Sequence, residues 1–237
     1  MRPKKSIVFL VLLFAANAAF ACTTCNKKLQ QGIFDSTFYP NLFTMLLAFI
    51  VLGLVVAALS VLASRREKKN QAYQVQKLTA VPLISAATTL GIGLGGFIDG
   101  IFLHQILQWH EMLSNKIPPV TLLNKSVNMF WDGIFHAFCL VVVLVGIVFL
   151  FKLFFRKDVI ITKNVFWGSL VLGWGLFNLI EGLIDHQILK LHNVREITAN
   201  VPLWNYGFLL FSVLLIVFGF MLIAKSTGKN INSVTDL

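Results

Sequence analysis

The chain has 237 residues, of which 57% are hydrophobic and only 13% are charged. This composition is typical of a helical protein that crosses the lipid bilayer several times, and it excludes an ordinary soluble domain. The net charge of +10 does not indicate a nucleic-acid partner, because most basic residues lie in short clusters beside apolar segments, where they orient membrane spans.

Residues 1–21 have the pattern of a secretory signal peptide. A basic start precedes an apolar stretch over residues 7–14, and an Ala-Phe-Ala cleavage site ends the segment. Cleavage would make Cys22 the first mature residue. A cysteine at that position also permits a lipoprotein signal, although Phe20 fits such a signal poorly.

Cys22 and Cys25 form a Cys-x-x-Cys pair in the exported segment 22–41. In an oxidising compartment such a pair forms a disulfide by default, and as thiolates it could bind a soft ion such as Cu(I). It is not a haem-attachment site, because Asn26 stands where a histidine is needed. Cys22 and Cys25 are therefore secondary candidates for metal ligands, and disulfide, metal ligation and lipid attachment all stay open.

Five apolar segments are long enough to cross a hydrocarbon core of about 30 Å. The segments cover residues 42–63, 78–103, 129–151, 165–183 and 203–224. Basic clusters follow the first, third and fifth segments. The first of these clusters is predicted to lie in a loop, which together with the first segment makes up the region 42–77. These clusters predict that the tail 226–237 is cytoplasmic and that the mature N-terminus is periplasmic, in a bacterial inner membrane. The signal peptide requires the same orientation.

Four of the five histidines belong to two copies of one pattern, 82 residues apart. Each copy has an acid, a glycine and two histidines at identical spacing: Asp99, Gly100, His104 and His110, and then Glu181, Gly182, His186 and His192. Trp131-Asp132 is similarly echoed by Trp204-Asn205. The sequence thus predicts an all-α membrane helix bundle, with a four-helix core from two tandem two-helix repeats (78–157 and 163–225) beside one N-terminal transmembrane helix.

Ionisable side chains inside apolar spans cost several kcal/mol unless they are paired or liganded, so they mark functional sites. Counting the helical rise from the cytoplasmic lysines places the acids and imidazoles at one level in the outer half of the bilayer. His110 and His192 are then expected at the outer mouth. The candidate metal ligands are His104, His136, His186, Asp99, Asp132, Glu181 and Asp185, with His110 and His192 as secondary candidates.

The spacing of acid and histidine sets a geometric problem. Residues five apart, such as Asp99 and His104, lie about 140° apart around an ideal helix. Either these side chains line a wide cavity, or the helices distort at Gly100 and Gly182.

Imidazoles and carboxylates on facing helices are ligands for iron, copper or zinc, and haem is an alternative if histidines of different spans are its axial ligands. A proton or ion path and a purely structural hydrogen-bond network also fit. We therefore expect a membrane metalloprotein with a site open to the periplasm, acting in redox chemistry or metal handling. A proton-coupled transporter and an assembly factor with a respiratory or metal-handling membrane partner are the alternatives. No catalytic residue is predicted.

Segments 95–110, 131–136 and 178–186 contain the sequence Asp-Gly-Ile-Phe-Leu-His-Gln and its counterparts. In these segments the chain resembles a family of bacterial membrane proteins catalogued as a domain of unknown function. The resemblance covers about residues 78–225, and it implies a four-helix membrane core without an established activity.

Overall fold

The computed structural model describes residues 26–71 and 79–232, so Cys22, Cys25 and the predicted signal peptide lie outside the described residues. Within those ranges the regular secondary structure is helical, apart from a single bridge between Thr79 and Val159. The α-helices are α1 (Lys27–Ile33), α2 (Phe38–Gln71), α3 (Val81–Ile98), α4 (Leu122–Leu153), α5 (Lys163–Glu181) and α6 (Val201–Asn232). Two π-helical segments, π1 (Asp99–Ile106) and π2 (Gly182–Ile188), continue α3 and α5. The all-α prediction is confirmed.

Five of the helical stretches are long and apolar enough to cross a membrane. They are Phe38–Arg66, Val81–Ile106, Leu122–Leu153, Lys163–Ile188 and Val201–Lys225. Each overlaps one predicted span. α3 and α5 are the more buried of these helices, whereas α2, α4 and α6 expose many large apolar side chains, as lipid contact requires.

Three helix boundaries differ from the prediction by seven residues or more, one of them the end of α6, which continues to Asn232. α2 continues to Gln71, so the basic segment assigned to a loop begins as helix, because lysine, arginine and glutamate are good helix formers. α4 begins at Leu122, seven residues before the predicted span. Its start is fixed by Thr121, whose hydroxyl accepts a hydrogen bond from the Asn124 N–H at 3.1 Å, the usual N-cap interaction.

The two buried helices α3 and α5 touch backbone to backbone. A Cβ atom added at Gly91 would overlap the carbonyl oxygen of Leu170, and one added at Gly173 would overlap the carbonyl oxygen of Thr88. Small residues allow this approach in a membrane, where dispersion forces drive helix association. α5 also packs against α6, and α3 packs against α4. The acid–histidine segments that follow α3 and α5 therefore emerge side by side.

One end of the bundle carries all five histidines, and we call it the histidine end. It comprises π1, π2, the first turns of α4 and α6, and the loops 107–121 and 189–200. α1 packs against α4 at this end, and the segment after α1 continues the contact: the Phe34 ring lies 5.9 Å from Phe130, and the Phe38 ring lies 5.4 Å from Trp131, as centroid distances. The helices thus carry the polar residues to one level.

Replacing Gly173 by alanine should destabilise the fold by about 1–3 kcal/mol, because overpacking forces the α3 and α5 backbones apart. Thermal unfolding of the purified protein in detergent, followed by circular dichroism, measures the effect. Gly53→Ala is the matched control, because a Cβ atom at Gly53 meets nothing within 4 Å. Equal unfolding temperatures for the two variants would contradict the close contact.

Candidate metal centre

The π-helical segments bring each acid to its histidine. A π-helix pairs residue i with residue i+5, which is the spacing of both acid–histidine pairs. The His104 Nε2 atom lies 3.1 Å from Asp99 Oδ2, and the His186 Nε2 atom lies 2.9 Å from Glu181 Oε1. Of the two alternatives left open by the sequence, the helices take the distorted one. Gly100 is needed there, since a Cβ atom at that position would overlap the His136 ring.

After each π-helical segment the chain turns back on itself. Gln108 and Lys190 have left-handed backbones, with φ of 49° and 50°. Matching backbone hydrogen bonds of 2.9 Å and 2.8 Å close the two turns, from Trp109 to Leu103 and from Leu191 to Asp185. His110 and His192 therefore return to the interior, where both are buried. Their expected position at the outer mouth is wrong, because that position assumed straight helices.

Four imidazoles pack together as the histidine cluster, which consists of His104, His110, His186 and His192. All four residues are 3% exposed or less. The His110 and His192 rings stack nearly parallel, with centroids 4.5 Å apart and 3° between the planes. His104 lies 4.3 Å from His110, and His186 lies 4.8 Å from His192. The second histidine of each copy thus occupies the centre of the cluster.

Three of these rings are fixed through Nδ1. This atom lies 2.9 Å from Asp132 Oδ1 in His104, 2.8 Å from the Val194 carbonyl in His110, and 3.0 Å from the Met112 carbonyl in His192. A carbonyl oxygen can only accept, so Nδ1 donates in His110 and His192, and the lone pair of a neutral ring is on Nε2.

His110 is the clearest neutral ring of the cluster. Burial, together with the neighbouring imidazoles, lowers the pKa of His110 well below its usual range. Its Nε2 atom is buried and has no hydrogen-bond partner in the described part of the chain. A neutral imidazole with a free lone pair is the form that binds metal ions.

Each loop supplies the carbonyl that fixes the histidine of the other copy. Val194 lies two residues after His192 and accepts from His110, whereas Met112 lies two residues after His110 and accepts from His192. Side chains at the starts of α4 and α6 hold these loop residues by their N–H groups: Asp132 accepts from Met112 at 2.9 Å, and Asn205 accepts from Val194 at 3.0 Å. The two loops and the two rings are therefore mutually fixed.

Glu181 Oε1 faces two imidazoles. It lies 2.9 Å from His186 Nε2 and 3.1 Å from His192 Nε2. Because Nδ1 of His192 donates to a carbonyl, a neutral His192 would direct its Nε2 lone pair at the carboxylate. That contact is repulsive unless a proton or a metal ion lies between the two atoms. His104 has the same arrangement, with Nδ1 on Asp132 and Nε2 on Asp99.

Four carboxylates are buried among these rings: Asp99, Asp132, Glu181 and Asp185, each 4% exposed or less. Among the described residues, none of the four has a lysine or arginine within ion-pair distance. Lys116 attracts Asp185 electrostatically, but only at longer range, and burial lowers the pKa of that lysine. Isolated buried charges cost several kcal/mol each. Protonated imidazoles, a bound cation or protonation of the carboxyl groups themselves must therefore neutralise these acids.

In the described part of the chain, two overlapping groups of ligand atoms could hold a metal ion. His104, His110 and His192 form one, and Glu181, His186 and His192 form the other; within each, one ligand atom per residue lies within 4.8 Å of the rest. The structure thus brings together one main candidate of the first copy, His104, and two of the second, Glu181 and His186, with both secondary histidines. His192 belongs to both groups.

Four of the sequence candidates lie outside both groups: Asp99, Asp132, His136 and Asp185. His136 stacks on Phe97 with centroids 5.9 Å apart, is half-buried, and has an unpartnered Nε2 atom in the described chain. Asp185 is buried, and its Oδ1 atom likewise has no hydrogen-bond partner among described residues. Asp132 touches the cluster only through the far side of the His104 ring.

Sequence reasoning missed Glu111 and the loop carbonyls. Glu111 is buried beside His110, and burial together with the charge of Asp132 raises its pKa. Its Oε1 atom lies 3.9 Å from Lys125 Nζ. Glu111 could have been predicted from the sequence, because it directly follows a histidine of the repeated pattern. The roles of the Met112 and Val194 carbonyls could not be predicted from the sequence, because every residue has a backbone carbonyl.

The loops 107–121 and 189–200 interlock above the cluster. Glu196 joins them: its Oε1 atom accepts from Ser114 Oγ at 2.8 Å and from Asn193 N at 2.9 Å, and its own N–H donates to the Trp109 carbonyl at 2.9 Å. The Arg195 guanidinium lies over the rings of Trp109 and Trp204. The cluster is therefore covered, and the expected open mouth is not found among the described residues.

A family model described as "Predicted membrane protein (DUF2243)" matches residues 86–226. This range contains the histidine cluster, its carboxylates and both loops. No curated protein matches the chain, and no solved structure matches it.

Replacing Glu196 by alanine should loosen the two loops, because hydrogen bonds to a charged acceptor contribute about 1.5–3 kcal/mol each. We expect amide hydrogen exchange in 107–121 and 189–200 to accelerate by about tenfold or more, as measured by mass spectrometry. Asp158→Ala is the control, since it removes an exposed pair with Arg156 at the opposite end. Unchanged exchange in the Glu196 variant would show that this residue does not hold the loops.

Proposed function

The chain belongs to this family of predicted membrane proteins, and we propose that its histidine cluster binds a transition-metal ion for redox chemistry or metal handling. The proposal rests on a hydrogen-bonding arrangement that three buried imidazole rings share. His104, His110 and His192 each place Nδ1 on an acceptor oxygen. Histidines that bind metals characteristically donate their other N–H to a carboxylate or a carbonyl, which fixes the tautomer and orients the ring.

The charge of the site supports a cation in the same place. A metal ion bound at the Nε2 atoms of His104 and His192 would relieve both contacts between ring nitrogen and carboxylate oxygen. Asp99 and Glu181 lie at 3.1 Å from these two nitrogens and would be ligands or close counter-charges. His110 would supply a neutral nitrogen. Asp132, which binds Nδ1 of His104, would orient that ring from outside the coordination sphere.

The donor set favours iron, zinc or copper(II). Nitrogen and carboxylate oxygen are the atoms within reach, and neither group of candidate ligands contains a sulfur donor. Haem fits poorly. The central rings of His110 and His192 stack directly on one another with centroids 4.5 Å apart, which leaves no gap for a porphyrin between them.

The basic clusters after the first, third and fifth spans support a periplasmic histidine end in a bacterial inner membrane. In that orientation the metal would lie in the outer half of the bilayer, beneath the two loops. The same orientation puts the predicted exported segment 22–41, with Cys22 and Cys25, on the periplasmic side.

Metal content of purified protein tests the proposal. Wild type should carry a stoichiometric amount of iron, zinc or copper, measured by inductively coupled plasma mass spectrometry. His192→Ala, which affects both ligand groups, should lower occupancy by at least about tenfold, and Asp132→Asn should weaken metal affinity by about 10–100-fold. His136→Ala is the matched control and should retain the metal.

Two results would contradict the proposal. One is wild-type protein that stays free of transition metals even after reconstitution with each ion. The other is loss of metal in the His136 variant equal to that in the His192 variant, because the cluster would then not be the binding site.

Proton movement is the second candidate function, since protons could also fill the contacts of Asp99 and Glu181 with the rings. The apolar parts of α3 and α5 argue against a complete path: residues 81–98 and 163–180 contain no aspartate, glutamate or histidine. We therefore expect proteoliposomes treated with a chelator to show no proton flux above empty liposomes, measured with a pH-sensitive dye. Flux that depends on His192 would favour a proton-coupled transporter instead.

A further inference from the structure

A cavity of about 520 Å³ lies beside the histidine cluster, between α3, α5 and α6. Its walls are mainly apolar and include the rings of Trp109, Trp174, Trp204 and Phe208. Cavities of this size and lining are typical of sites for small organic molecules. The cavity is distinct from the metal-ligand groups, but two of its lining residues adjoin the histidine cluster: Val194, whose carbonyl accepts from His110, and one acidic residue.

That residue is Asp99, which lines the cavity and is 4% exposed. Its Oδ2 atom contacts His104, whereas its Oδ1 atom has no hydrogen-bond partner in the described residues. A buried carboxylate oxygen without a donor is unfavourable by about 1–3 kcal/mol or more. A molecule in the cavity that brought a hydrogen-bond donor to Oδ1 would remove this cost.

The rim of the cavity indicates where such a molecule would come from. Leu203, at the start of α6, is 65% exposed, and Ile98 and Phe211 are also exposed on spanning helices. In a bilayer these side chains contact lipid, so the cavity is reached from the lipid phase. A ligand with an apolar tail suits that route.

The charges nearby favour a neutral donor. A carboxylate ligand would be repelled by Asp99. A cationic ligand would meet Arg195, whose guanidinium already lies 5.3 Å and 5.0 Å from the ring centroids of Trp109 and Trp204. An aromatic hydroxyl compound avoids both repulsions, and its ring packs favourably against indole rings.

We propose that this cavity binds a lipid-soluble phenol or quinol, with its ring among the tryptophans and its hydroxyl donating to Asp99 Oδ1. This inference goes beyond the metal proposal and does not need it. The cavity, its aromatic walls and the unpartnered oxygen are present whether protons or a metal ion neutralise the cluster.

Quenching of tryptophan fluorescence by two bromine-labelled probes tests the proposal, with the full chain in lipid nanodiscs. The probes are 2-bromo-4-decylphenol and its methyl ether, which lacks the donor. We expect saturable quenching by the phenol, with a half-saturating concentration at least about tenfold below that of the ether, because only the phenol can donate a hydrogen bond to Asp99. A decylammonium competitor reports whether a cation is preferred.

Matched variants locate the bound ring. Trp174→Phe should remove much of the saturable quenching, whereas Trp167→Phe should not, since Trp167 lies outside the cavity. A Cβ atom has open space at both Gly207, in the cavity wall, and Gly133, on α4. Gly207→Leu should fill the cavity and raise the half-saturating phenol concentration by about tenfold, and Gly133→Leu should leave it unchanged.

Equal quenching by phenol and ether, tighter binding of the decylammonium competitor, or no effect of Gly207→Leu would overturn the proposal. Metal content is measured on the same preparations. Because Gly207 contacts none of the candidate ligands, its leucine variant should keep the wild-type metal content, so failure of the ring site and failure of the metal site are distinguishable.

Discussion

The buried carboxylates of the histidine end must be neutralised from within the site, because none of them has a lysine or arginine ion-pair partner among the described residues. Asp99 and Glu181 instead face imidazole nitrogens at about 3 Å. In a medium of low dielectric constant, the free-energy cost of a buried carboxylate without a counter-charge is far larger than the energy of any single packing contact. The surrounding elements can be understood as the means of holding rings and acids together around a proton or a metal ion.

The backbone adopts uncommon conformations to achieve this. π-Helical segments are rare and occur frequently at functional sites, and this chain has two, each followed by a non-glycine residue with positive φ. Gln108 and Lys190 are held in a conformation that costs of order 1–3 kcal/mol each. The interlocked loops stabilise it, since the Met112 and Val194 carbonyls are engaged by rings of the opposite copy. Strain and site are therefore parts of one arrangement.

The sequence predicted the spans and the level of the site because both depend on local properties, namely apolar length and helical rise. It did not predict the roles of individual histidines. His136 ranked high because it lies one helical turn after Asp132, but its ring packs on Phe97. His110 and His192 ranked low because a straight helix carries them outward. Their identical spacing in both copies did indicate that they belong to the site. The contact between Glu181 and His192 could not be predicted, because it forms only after the chain has turned back on itself.

Asp99 links the two proposed sites. One of its oxygens faces His104, the other has no hydrogen-bond partner among the described residues, and the residue lines the cavity. A cation near Oδ2 withdraws charge from the carboxylate and makes Oδ1 a weaker acceptor, whereas a hydroxyl bound at Oδ1 reduces the attraction of Oδ2 for the cation. Thermodynamic linkage makes these effects equal in free energy. If both sites are occupied as proposed, metal affinity and ring affinity must therefore oppose each other by the same factor, and that factor should disappear when Asp99 is replaced by asparagine.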